Sequence, residues 1–142
     1  MIDREAIFQA LFNLVKDLPG FVTTSRRARL VKDVAPDEMP ALFLEQLPEV
    51  VENQGQGLPS KYFLKADLMI YVSGADPAAI PSSLLNPLVD AVCAAIEPDA
   101  DEENQTLGGR VQYCRVNGQI DRNDGIVSGS PWAFIPVEIL VP

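Results

Sequence analysis

Between residues 62 and 72 the side chains alternate with the period of an extended strand. Tyr62, Leu64, Ala66, Leu68, Ile70 and Val72 fall on one side, while Lys65 and Asp67 interrupt the other. Successive side chains of a strand point to opposite faces, so this run commits the chain to a sheet with one thoroughly apolar face. Residues 132–141 repeat the signal through Ala133, Ile135, Val137, Ile139 and Val141. That run contains Pro136, which has no N–H to give a ladder, so it is predicted to lie at an edge or to carry a bulge. Shorter strands are expected over residues 21–31, 41–47 and 110–117, with turns at 53–60 and at 121–125.

A sheet with one apolar face needs a layer to cover it, and two amphipathic segments supply one. Asp3 is a fitting N-cap and Glu5 a first-turn acid for a helix in which Ile7, Leu11, Leu14 and Leu18 keep the helical period. Phe8, Phe12 and Val15 widen that stripe, and Pro19-Gly20 is expected to end it. The second helix is expected over residues 83–97, with Leu85, Leu88, Val89, Val92 and Ile96 inward. Proline is tolerated only in a first turn, so Pro87 places the start at Ser82, Ser83 or Asn86. The order α-β-β-β-α-β-β predicts an α+β fold: a two-layer domain over residues 1–142 with an about five-stranded mixed or antiparallel sheet. Both helices pack on one face. The other face, with Lys65, Asp67 and Tyr71, is left for water or a neighbouring subunit.

Composition narrows the function. With 142 residues, 47% of them hydrophobic, the chain has enough material for a core without staples. A net charge of −9 argues against sequence-independent nucleic-acid binding, which draws its affinity from Lys and Arg on phosphates. The sequence has no histidine, which removes His triads, His-ligated zinc and His acid–base chemistry. Cys93 and Cys114 fit no metal or redox spacing and are expected as buried thiols. Gly108-Gly109 leads into a strand rather than a helix, so it reads as a turn and not a phosphate cradle. The serines have no histidine partner. No catalytic, cofactor or metal site is expected, and the chain reads as a non-enzyme. The first residues form a charged amphipathic segment rather than a secretory signal, and no apolar run approaches the roughly 18 residues of a membrane span. A soluble, cytoplasmic protein is the expectation.

Two charged segments stand out. Arg26, Arg27, Arg29 and Lys32 form a basic patch in an acidic chain, and Asp99, Asp101, Glu102 and Glu103 follow Glu97 in an acidic loop. The acids lack the Asp-x-Asp-x-Asp-Gly order of a calcium loop, so a solvated loop is expected. Arg26, Arg27 and Arg29 on one copy meeting Asp99, Asp101, Glu102 and Glu103 on the next is the candidate subunit or tail interface.

Four stretches carry a resemblance: Pro40 to Gln46 (PALFLEQ), Pro81 to Ala91 (PSSLLNPLVDA), Gln105 to Val111 (QTLGGRV) and Ala133 to Ile139 (AFIPVEI). In this order and length the chain resembles phage and prophage tail terminator (minor tail, tail-completion) proteins. The resemblance implies a non-enzymatic subunit that assembles as a ring, typically a hexamer, on the head-proximal end of the tail tube. There it stops tube polymerisation and offers a docking surface for head-completion or neck proteins. It implies a place in the virion tail or neck, and in the host cytoplasm during assembly. A neck (head–tail joining) protein is the alternative within phage morphogenesis. From other classes, a small-ligand-binding α+β domain and an acidic mimic of DNA are compatible with size and charge.

Overall fold

The structure, a computed structural model, describes residues 2–126 and 129–142. Helix α1 spans Arg4–Val15, and its first turn is closed by Asp3, whose carboxylate accepts from the Ala6 amide at 3.1 Å. Ile7, Phe8, Leu11 and Val15 are its buried face. The helix stops before the Pro19-Gly20 break, and a tightened turn from Leu18 N–H to the Val15 carbonyl leads out. Gly20, at φ +96°, then passes so near the second helix that a Cβ there would sit 3.3 Å from Leu88.

Six strands form a mixed sheet. They are β1 (Thr23–Ser25), β2 (Ala41–Glu52), β3 (Lys61–Tyr71), β4 (Tyr113–Val116), β5 (Asp121–Asn123) and β6 (Trp132–Val141). The spatial order is β1-β2-β3-β6-β4, with β5 also on β6. Only β1 runs parallel to its neighbour. Helix α2 spans Pro81–Ile96. Both helices lie on one face, over Leu42, Leu44, Leu64, Ala66, Leu68, Ile70 and the alternating apolar residues of β6. The predicted α+β two-layer architecture is what the chain adopts.

Four local expectations are corrected. Residues 21–31 hold only the short β1. The chain beyond Ser25 turns over the sheet through 3-10 turns at Val31–Asp33 and Pro36–Glu38, because β2 offers β1 pairing only at residues 41–43. Proline stands at the head of α2, but it is Pro81, so Pro87 lies inside the helix beyond its first turn. Asp121–Asn123 is a strand rather than a turn, held by β6 residues 132–134. Finally, β6 is central, between β3 and the pair β4 and β5. Pro136 escapes the cost of that position because β4 reaches only residues 137–140 and β5 only 132–134, leaving an interval opposite the proline.

The face away from the helices is not left bare. Val34 and Met39, from the segment carrying the 3-10 turns, cover Ala41, Phe43, Met69 and Tyr71 in a second core flanked by Trp132 and Phe134. The Tyr71 hydroxyl ends in a hydrogen bond of 2.6 Å to the Arg29 carbonyl, which ties the covering segment down. Burial, and secondarily Glu45, pushes that hydroxyl up to about 12, so it stays a donor at physiological pH. The other half of this face is only partly exposed: Lys65, Arg115 and Val50 are exposed, whereas Leu140 is buried. One row across it is charged, Lys65, Glu138 and Arg115, and the next is apolar, Val50, Phe63, Leu140 and Tyr113.

Candidate interaction surfaces

The basic segment starts at one edge of the sheet and then turns over it, and the acidic loop lies along the other edge. The arginines follow β1, the outer strand on one side. The acidic loop runs along β4, the outer strand on the other, where Cys114 N–H donates to the Gln105 carbonyl at 2.8 Å and Glu103 helps line the cleft above β4. Four strand spacings, about 19 Å, separate β1 from β4, and Arg29 lies inward of the β1 edge, with its carbonyl on Tyr71 of β3.

The three arginines are not equivalent. Arg26 turns toward the helices and pairs with Glu5 on α1 while also donating to Gln9 at 3.2 Å. Arg29 turns the other way, pairs with Glu38 at 2.8 Å and lies 5.2 Å from the Phe43 ring centroid. The paired guanidinium holds Glu5, and likewise Glu38, below the usual carboxylate range. Arg27 is exposed, and among the described residues it has no ion-pair partner. Two of the three predicted contact charges are therefore already engaged within the chain, and Arg27 is the one of the three with no ion-pair partner among the described residues. Sequence spacing cannot show this, because the partners Glu5 and Glu38 come from separate elements.

Asp99, Asp101, Glu102 and Glu103 are all exposed. A turn from Glu102 N–H to the Asp99 carbonyl shapes their loop. No group of acids, cysteines or histidines among the described residues is arranged to hold a metal ion. The nearby cysteines are both free. Cys93 is half-buried and Cys114 buried, and burial pushes the Cys114 thiol up to about 12, which leaves it a poor nucleophile.

Sequence reading missed the concave features. A cleft of about 590 Å³ lies between the start of α1, the start of β3 and the end of β6, lined by Ile2, Ala6, Tyr62 and Val141 together with Asp3, Ser60 and Arg110. An apolar groove of about 430 Å³ lies between α2 and the entry to β2, formed by Met39, Pro40, Val72, Leu84, Pro87 and Leu88. A neighbouring depression shares Leu84 and adds Asp76, Asp124 and Ile126. Such hollows join residues distant in sequence, and no period announces them. No helix among the described residues is long and apolar enough to cross a membrane. Compared with protein-family models and with curated proteins, the chain matches none of them.

Proposed function

We propose that this protein is a structural subunit of a phage-type tail, assembling as a head-to-tail ring that caps the head-proximal end of the tail tube. The ring stops tube polymerisation and presents a surface to the head-completion or neck protein. The observation that carries the reading is the placement of the exposed Arg27 just beyond one outer strand, β1, and of the exposed acidic loop along the other, β4. A cyclic ring needs two different, mutually complementary patches on each copy, and this is how a subunit provides them. The resemblance of the four stretches to tail terminator proteins supplies the rest.

The test is tube polymerisation from purified tail tube protein, with and without this chain, scored as tube length by negative-stain microscopy. Shorter tubes with density at one end support the reading. Unaltered tubes, with the chain instead co-purifying with heads, make it a neck protein.

One observation favours a second reading. The 590 Å³ cleft, whose lining mixes apolar side chains with Asp3, Ser60 and Arg110, has the size of a small-molecule site. A ligand-binding domain of this kind works as a monomer or dimer and leaves tube growth unchanged.

A further inference from the structure

We propose that the cleft between α1, β3 and β6 binds an apolar zwitterion, an amino acid or a short peptide. Arg110 takes the ligand's carboxylate and Asp3 its ammonium. This rests on the small-molecule reading of that cleft and is independent of ring assembly.

Among the described residues lining the cleft, only Asp3 and Arg110 have charged side chains. They carry opposite signs, yet no ion pair joins them. Opposite charges that share a hollow without meeting suit a ligand that carries both signs itself. Ile2, Ile7, Tyr62 and Val141 line the same cleft and supply the apolar surface for the ligand's body. The volume, about 590 Å³, accommodates a ligand from an amino acid to a short peptide.

Neither charge is used up within the chain. Asp3 accepts the Ala6 amide through Oδ1 at 3.1 Å, and its other carboxylate oxygen has no partner among the described residues. Arg110 donates from Nη1 to the Leu107 carbonyl at 2.8 Å. A guanidinium has five N–H donors, so that single bond leaves the others available. The neighbouring Arg4 is paired with Glu49 and does not neutralise Asp3.

The turn that places Arg110 is strained. Leu107, Gly108 and Gly109 take φ of +51°, +73° and +86° in succession. Glycine adopts left-handed backbone freely, whereas leucine rarely does. Leu107 is buried in the main core, and the Thr106 carbonyl accepts the amides of Gly109, Arg110 and Val111. A Cβ on Gly108 would lie 2.8 Å from Arg110 Nη1, so glycine there leaves the guanidinium its place. Strained backbone of this kind clusters at ligand sites, where the surrounding structure holds it.

Net charge favours a zwitterion over a plain anion. A chain at −9 repels a free carboxylate, whereas a zwitterion has no net charge to repel.

The test is calorimetric titration of the full chain with leucine and with leucylleucine, each also as its N-acetyl and C-terminal amide form. One of the two parent compounds should bind at millimolar concentration or below, and the tighter one tells amino acid from peptide. Blocking either end should weaken binding about tenfold or more. Asp3→Asn keeps the helix cap, because asparagine caps as well as aspartate. It should weaken the parent compound about tenfold and leave the N-acetyl form unchanged. Arg110→Gln should weaken the parent equally and leave the amide form unchanged, with circular dichroism melts confirming that both variants fold. Failure of both parent compounds to bind would overturn the proposal, as would variants that bind like wild type. Blocked forms that bind as tightly as the parent would overturn the zwitterion and leave the small-molecule reading standing.

Discussion

Pro136 stands across the β3–β6 ladder from Asp67, and its nitrogen faces the interval between β4 and β5. The Asn117 amide donates to the Pro136 carbonyl at 3.1 Å from the β4 side, and the nitrogen and carbonyl of a strand residue share a side. The ring therefore interrupts no pairing with β3. Pro136→Ala should change unfolding free energy by less than about 1 kcal/mol. Ile135→Ala, one position away in the helix-side core, should cost about 2–5 kcal/mol. Urea titration of both variants checks the contrast, and equal losses would mean that Pro136 is needed where it stands.

Asp67 itself is half-buried, and burial, then Glu45 and Asp121, push its carboxyl above the usual range. Among the described residues nothing donates a hydrogen bond to it. A carboxyl raised in the folded state binds its proton more tightly folded than unfolded, so its ionisation takes stability away as pH rises through and above about 4. Asp67→Asn should therefore raise the urea midpoint at pH 7, with the gain fading near pH 3. An equal gain at both pH values would assign the effect to packing instead of charge.

Tyr71 links the second core to the segment that covers it. Tyr71→Phe keeps the ring beside Phe43 but leaves the Arg29 carbonyl without its 2.6 Å partner. A loss of about 1 kcal/mol is expected. Hydrogen exchange should report faster opening of residues 29–39, and uniform exchange would show that the hydroxyl does not anchor this segment.

Of the three arginines that follow β1, Arg27 is the one with no ion-pair partner among the described residues. Arg27→Glu should weaken self-association with little change in melting temperature, and the difference from wild type should shrink at high salt. Arg26→Glu, which faces Glu5 on the same chain, should lower the melting temperature slightly. Scattering and melting on both variants separate the roles. Association unchanged in Arg27→Glu would remove the charged edges from the interface.

The architecture was legible because it rests on period. Tyr62 to Val72 and Trp132 to Val141 alternate without a break in the inward residues, and the stripe from Ile7 to Val15 is a clean helical face. What stayed hidden depends on partners far along the chain. The centrality of β6 follows from two short strands arriving on either side of Pro136, and β5 is polar and too short to show alternation. The second core needed Val34 and Met39 to fold back on Phe43 and Tyr71, from the stretch between the strands expected over residues 21–31 and 41–47. The charged segments were visible as composition, whereas the commitment of Arg26 and Arg29 to Glu5 and Glu38 was not.

The most direct measurement is the molar mass of the chain by light scattering behind a sizing column over a wide concentration range, with negative-stain images of the largest species. The account predicts a closed ring near six subunits, in line with the tail terminator resemblance. A stable dimer with no rings at any concentration would contradict it.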